Sequence, residues 1–240
     1  CTNTSSYVIS QPDIIIGTMS ATNVGCYGDG SGSVTIDVIG GTTPYHYSWF
    51  NTTTLFAQNA PTMVNMSAEE YQVVVTDDNG CVFTDSIAIT EPQELSGTAV
   101  TLSDIDCFGG SDGELNLTPS GGSPPYSFNW VNSQNAPYGS SEDLNNIPAS
   151  VYTVLITDFN SCTYQMDHEI FQPSTAIFVE SQITDVKCFG ENTGEIELNI
   201  QGGTSPFEIS WSNGQTTDHI SNLSSDTYTY TVIDANLCTF

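Results

Sequence analysis

Short runs of alternating apolar and polar residues recur along the chain, and each predicts a half-buried β-strand. Pro44-Tyr45-His46-Tyr47-Ser48-Trp49, Pro125-Tyr126-Ser127-Phe128-Asn129-Trp130 and Pro206-Phe207-Glu208-Ile209-Ser210-Trp211 are three versions of one such run. In the first, the period of two puts Tyr45, Tyr47 and Trp49 on one face and His46 and Ser48 on the other. A strand with Val34/Ile36/Val38 precedes it, repeated as Leu115/Leu117 and Ile196/Leu198/Ile200. The glycine pairs beginning at Gly40, Gly121 and Gly202 supply the bend between the two. A later strand opens on a tyrosine (Tyr71/Val73/Val75, Tyr152/Val154/Ile156, Tyr228/Tyr230/Val232) and ends in an Asp-x-Asn turn just before a cysteine. After that cysteine another strand-like run spans 82–90 and closes at Glu91-Pro92, as Gln172-Pro173 closes the next copy. No segment sustains a period of 3.6, so helix is expected to be scarce.

These elements recur at a fixed step. Trp49, Trp130 and Trp211 are 81 residues apart, as are Cys26, Cys107 and Cys188; Cys81, Cys162 and Cys238 follow with steps of 81 and 76. Several short strands in each period of about 80 residues, separated by Gly, Pro, Asn and Asp turns, predict an all-β fold: a tandem array of Ig-like antiparallel β-sandwich repeats. Trp49, Trp130, Trp211, Tyr71, Tyr152 and Tyr228 are the expected core. The phasing sets the domains at 13–92, 93–173 and 174–240, the third ending before its last strand. Residues 1–12 carry the same Gln-Pro ending and read as the last strand of a preceding repeat, as in a window cut from a longer exported array. A bolder reading has this strand complete the third domain of another chain.

Charge narrows the function. Lys187 is the only basic residue beside 28 Asp and Glu, giving a formal net charge of −27. A nucleic-acid backbone site cannot be built from one lysine, and an anionic membrane surface is excluded on the same ground. No run is apolar enough to span a bilayer, so membrane insertion is not expected. Seven cysteines without a CxxC or a histidine cluster predict disulfides in an oxidising compartment rather than zinc. The expected pairing lies within each period: Cys26–Cys81, Cys107–Cys162 and Cys188–Cys238, with Cys1 left for a partner outside the window. Each bridge would close a long loop and stabilise by roughly 3–4 kcal/mol. In a sandwich, however, the two cysteines of one period could lie at opposite ends. The alternative staples neighbours, as Cys26–Cys162 and Cys107–Cys238.

The motifs Cys107-Phe108-Gly109-Gly110-Ser111-Asp112-Gly113, then Gly121-Gly122-x-x-Pro125-Tyr126 and Trp130, resemble the SprB-type repeat of large adhesins of gliding bacteria. The segments beginning Cys26-Tyr27-Gly28 and Cys188-Phe189-Gly190 are further copies, and Tyr152-x-Val154 through Cys162 fits as well. The resemblance covers essentially the whole chain. It implies type IX secretion, an extracellular, cell-surface location associated with the outer membrane, and service in adhesion or gliding motility.

Candidate sites follow from what recurs. Asp29, Asp112 and Glu191 in the glycine-rich loop and Asp77, Asp158 and Asp234 in the late turn are candidate Ca²⁺ ligands. The preferred reading is that these residues cap tight turns, with no cofactor required. Tyr27, Phe108 and Phe189 could stack on a sugar, although an aromatic beside a cysteine more often packs over the disulfide. His46, His168 and His219 occupy three different repeat positions, and no catalytic motif is present, so no enzyme is expected. Asp85-Ser86-Ile87 resembles an O-glycosylation site of this bacterial group, on Ser86, and Asn3, Asn51, Asn65, Asn116 and Asn222 head N-x-Ser/Thr sequons. The expected partners are neighbouring repeats and, in weak multivalent contact, polysaccharide or a solid surface. The rivals to an adhesin rod are a structural stalk or self-assembling filament and an accessory array of a secreted hydrolase.

Overall fold

A computed structural model describes residues 3–240. Among them there is no helix, and 19 strands pair in antiparallel sheets. The first period folds into β1 (Ile16–Thr22), β2 (Gly32–Ile39), β3 (His46–Phe50), β4 (Leu55–Phe56), β5 (Thr62–Met66), β6 (Glu70–Thr76) and β7 (Val82–Ala88). One sheet has the order β1-β2-β5 and the other β4-β3-β6-β7. A single cluster joins their inner faces: Val34, Ile36, Met63 and Met66 from the first sheet, Trp49, Tyr71, Val73 and Val75 from the second. This division of seven strands, with the chain crossing between the facing sheets after β2, β4 and β5, is that of an immunoglobulin-like sandwich.

The second period repeats the plan with β8 (Ser96–Ser103), β9 (Gly113–Ser120), β10 (Ser127–Asn132), β11 (Pro137–Gly139), β12 (Leu144–Ile147), β13 (Ser150–Thr157) and β14 (Thr163–Ile170). Its sheets are β12-β9-β8 and β11-β10-β13-β14. The third period has β15 (Phe178–Thr184), β16 (Gly194–Gln201) and β18 (His219–Leu223) in one sheet and only β17 (Glu208–Trp211) and β19 (Tyr230–Ile233) in the other. Its seventh strand is reduced to one bridge, Ile233 to Thr239. By contacts the chain divides into two compact units. One holds residues up to Ser96 with Pro119–Tyr126 and Thr157–Tyr164; the other holds Gly97–Thr118, Ser127–Ile156 and Gln165–Phe240. The second period contributes to both.

Of the expected core residues, Trp49, Trp130, Trp211, Tyr71 and Tyr152 are buried, and Tyr228 is only half-buried against the third core. Each tryptophan donates its indole N–H to a backbone carbonyl: Ala60 at 2.9 Å, Ser141 at 3.0 Å and Thr217 at 2.9 Å. A tyrosine at or just before β6, β13 and β19 reaches back four residues. The Tyr71 hydroxyl donates to Ser67 O at 3.1 Å, Tyr152 to Pro148 O at 2.8 Å and Tyr228 to Ser224 O at 3.2 Å. This is the tyrosine corner of immunoglobulin-like domains. The Tyr152 phenol is held un-ionised, chiefly by burial and further by its bond and charge interaction with Tyr138. Tyr152→Phe removes the bond to Pro148 O and the interaction with Tyr138 at almost no cost in volume, so a loss of about 1 kcal/mol or slightly more is expected in denaturant titration, with the sheets unchanged.

Two local features lie behind the strand signals. Asn65, Asn146 and Asn222 all have φ between 55° and 59°, one residue before the buried Met66, Ile147 and Leu223. Each marks the point where its strand slips register against the neighbour. Asparagine tolerates this left-handed conformation, so at Asn65 and Asn222 the sequon coincides with a β-bulge. The glycine pairs also have positive φ, and a Cβ at Gly40, Gly121 or Gly202 would lie 1.9–2.0 Å from a backbone carbonyl oxygen. Only glycine lets that loop close.

Candidate functional site

The recurring constellation is a turn, a loop and a cysteine pair. The aspartate that ends the sixth strand is buried in every period: Asp77, Asp158 and Asp234 are 2, 5 and 3 % exposed. Oδ2 accepts the N–H of Thr42, Ser123 or Thr204 from the glycine-pair loop, at 2.7–2.9 Å. Oδ1 accepts the N–H groups of Asn79 and Cys81, of Asn160 and Cys162, or of Asn236 and Cys238, at 2.8–3.0 Å. Three backbone donors per carboxylate bind the turn to the loop and hold the following cysteine in place. Burial raises the Asp77 carboxyl, but the N–H groups of Thr42, Cys81 and Asn79 outweigh it and hold the group below its ordinary value. Asp234 is lowered in the same way by Thr204, Cys238 and Asn236.

A carboxyl depressed in the folded state stabilises fully above its unfolded value, near 3.9 for aspartate, and loses that contribution as pH falls through the folded value. Asp77→Asn should therefore lower the melting temperature of the first sandwich at pH 5–7. The gap to the unmodified chain should close as pH falls below about 4. A gap independent of pH would show that the charge of Asp77 plays no part.

The disulfides correct the expected pairing. Cys26 bonds Cys162 and Cys107 bonds Cys238, with Cα–Cα separations of 5.7 and 5.6 Å. Cys81 and Cys188 are free and exposed, so Cys26–Cys81, Cys107–Cys162 and Cys188–Cys238 do not form. Cys1 lies outside the described residues. The reason is topological. Cys26 sits in the loop before β2, whose residues Val24 and Gly28 bond to Thr90 and Glu91. Cys81 sits beside the loop that follows β2. Eight residues of strand put the two ends roughly 25 Å apart, far beyond the reach of a disulfide. The loop of one period does meet the turn of the next, and there the bond closes.

An amide reinforces each bond. Asn160 Nδ2 donates to Gly25 O at 2.8 Å and Asn236 Nδ2 to Asp106 O at 3.0 Å, the carbonyls just before Cys26 and Cys107. A linker side chain closes over the same loop: Gly28 N–H donates to Glu91 Oε2 at 2.7 Å and Gly109 N–H to Gln172 Oε1 at 2.8 Å. These asparagines and linker residues recur in the sequence at the right step. The asparagines' partners are backbone carbonyls of the preceding period and the linker residues' partners are backbone amides of their own, which no side-chain pattern marks.

The other candidates do not converge. Asp29 and Glu191 are exposed, Asp112 Oδ2 accepts Asp106 N–H at 3.3 Å, and Asp77, Asp158 and Asp234 are engaged by their turns. Among the described residues no group of three or more His, Cys, Asp or Glu is placed to hold a metal ion. Asp77, Asp158 and Asp234 thus cap their turns, while Asp29 and Glu191 face solvent. Tyr27 and Phe108 are about half exposed and Phe189 fully so. Phe108 lines a shallow pocket with Cys107, Cys238, Ala176 and Ile177. Ser86 is exposed on the edge strand β7, its hydroxyl donating to Glu70 Oε1 at 3.0 Å. Of the histidines, His168 Nε2 bonds the Thr101 hydroxyl at 2.8 Å and His219 lies 3.8 Å from Glu195.

Fold and joints together define a tandem array of immunoglobulin-like sandwiches cross-linked from one period to the next. The family model of the SprB repeat matches residues 18–54, 99–135 and 181–216, so the chain carries the SprB repeat three times. No curated protein matches it. Among solved structures it is similar to the N-terminal eight Ig domains of Down Syndrome Cell Adhesion Molecule isoform 1.30.30. The identity is 13 % and the TM-score 0.39, over 93 % of this chain and 33 % of that one. It is also similar to Dpr2 Ig1-Ig2 in complex with DIP-Theta Ig1-Ig3, at 10 % identity and TM-score 0.34, over 95 % of this chain and 97 % of that one. The chain spans one third of the length of the first.

Proposed function

We propose that the chain is a load-bearing segment of an extracellular adhesin, exported by the type IX route and displayed at the outer surface for attachment or gliding motility. The supporting observation is the staple between successive SprB repeats, which resists separation of neighbours under load and forms only in an oxidising compartment. A formal charge of −27 opposes collapse of such an array on itself. Its contacts are with neighbouring repeats and, multivalently, with polysaccharide or a solid surface, and it carries out no reaction. Serum raised against residues 3–240 should label intact source cells, move with them and block attachment. Label confined to the medium or to lysed cells would refute the surface assignment.

A second reading, a self-assembling stalk or filament, is favoured by one feature. Residues 3–15 form no strand, and Tyr7, Val8 and Ile9 are almost wholly exposed.

A further inference from the structure

The two cysteines of the first staple sit in backbone frames that non-covalent bonds build separately. Cys26 lies in a loop fixed from its own period. Val24 N–H donates to Thr90 O, Asp29 N–H to Cys26 O and Gly28 N–H to Glu91 Oε2. Cys162 lies in a turn fixed from the next period. Its N–H donates to Asp158 Oδ1, Asp158 N–H donates back to Cys162 O, and Ser161 N–H donates to Asp158 O. Ordering either cysteine is therefore no part of making the bond. What has to happen is that turn meets loop.

Asn160 connects the two. Its backbone N–H donates to Asp158 Oδ1 at 2.9 Å, which fixes where the side chain starts. Nδ2 then donates to Ser123 Oγ at 3.0 Å, within its own period, and to Gly25 O at 2.8 Å, across the joint. That carbonyl is joined directly to the backbone nitrogen of Cys26, and Cys162 Sγ lies 3.5 Å from the same oxygen. As a free thiol, Cys162 is placed to donate its S–H there, so amide and thiol converge on one acceptor beside Cys26. The second joint is built alike. Asn236 Nδ2 donates to Thr204 Oγ1 at 3.4 Å and to Asp106 O at 3.0 Å, and Cys238 Sγ lies 3.4 Å from Asp106 O. An asparagine amide has two N–H groups for two acceptors; an aspartate of the same shape has none.

We propose that Asn160 and Asn236 are positioning residues for the oxidation of the staples. Each docks the turn of one period on the loop of the period before while the cysteines are still thiols. Each thereby selects Cys26–Cys162 or Cys107–Cys238 over the other pairings. A hydrogen bond across the joint raises the effective concentration of one thiol at the other, and that concentration sets how readily the pair oxidises. Losing one neutral hydrogen bond of this kind lowers it roughly three- to tenfold.

The bond forms by exchange with a small disulfide such as oxidised glutathione. The Cys26 thiolate attacks it, making a mixed disulfide and releasing one glutathione thiolate. Cys162 gives its proton to solvent, and its thiolate attacks the Cys26 sulfur and releases the second. Two protein thiols lose two protons and two electrons, and the glutathione disulfide is reduced to two thiols. Asn160 acts on the second step, by holding Cys162 Sγ within reach of the Cys26 sulfur.

The test uses the chain with Cys1→Ser, Cys81→Ser and Cys188→Ser, so that the remaining four cysteines have three possible connectivities. The chain is equilibrated with reduced and oxidised glutathione and quenched in acid. Mass spectrometry of the alkylated peptides then gives an equilibrium constant for each bond. Asn160→Ala and the isosteric Asn160→Asp should each lower the constant for Cys26–Cys162 at least threefold and leave Cys107–Cys238 unchanged. Asn236→Ala should do the reverse. Ser123→Ala removes only the partner of Asn160 within its own period and should leave both constants unchanged. The second sandwich supplies one cysteine to each staple, so mere loosening of it by Asn160→Ala would weaken both bonds alike. An equal fall in both would overturn the proposal. So would a Cys26–Cys162 constant indifferent to Asn160, or Ser123→Ala matching Asn160→Ala.

Discussion

Trp49→Ala is expected to destabilise the first sandwich by about 4 kcal/mol, which for a domain of this size lowers its melting temperature by on the order of 20 °C. Trp49 is 0 % exposed and packs in the cluster formed by Val34, Ile36, Met63, Tyr71, Val73 and Val75. Truncation opens a cavity between the two sheets and leaves Ala60 O without its indole donor. A single sandwich has roughly 5–15 kcal/mol in all, so the loss brings the first period close to unfolding. The third period has its own core of Leu198, Trp211, Ile220 and Leu223 and should melt as before. Calorimetry of the intact chain checks this. One transition should move down while another stays, and a shift shared by all transitions would show that the sandwiches melt as one.

The second large effect is mechanical and follows from covalent connectivity alone. A chain pulled from its ends cannot extend past its cross-links. The taut path runs 25 steps to Cys26, crosses to Cys162, returns 55 steps to Cys107, crosses to Cys238 and ends two steps later. At roughly 3.5 Å per residue that is about 290 Å, against about 840 Å for the full chain once the bonds are reduced. Reductant should therefore raise the maximum extension in a single-molecule pulling experiment nearly threefold. Cys26→Ser should release part of the difference. Equal extensions in oxidising and reducing buffer would show that the staples do not form. The overlap has a consequence for an adhesin: residues 107–162 lie inside both loops and carry the tension, while 27–106 and 163–237 are shielded from it as long as both bonds hold.

The strands and the core were legible because burial on a sheet face imposes a period of two that survives in the sequence. Tyr45/Tyr47/Trp49 and Tyr71/Val73/Val75 could be placed inward from spacing alone, and the structure puts them there. The fixed step of 81 likewise reported a repeating architecture, since each copy has to build the same core. The turn aspartates were visible as a recurring Asp-x-Asn. That their carboxylates are buried and reach a second loop was not, because Thr42 and Asp77 come together only when β3 pairs with β6.

The cysteines mark the boundary between the two kinds of information. Sequence determined that they are scaffold residues, for they recur in phase with the tryptophans. Which cysteine meets which was decided only by tertiary structure. Proximity along the chain favoured Cys26 with Cys81, but an extended strand of eight residues holds them at opposite ends of one sandwich. Cys162, 136 residues from Cys26, is brought to 5.7 Å by the way one repeat follows another. A local pattern reports which face a residue turns to; the ends that strands bring together depend on their length and order, and no single segment carries that.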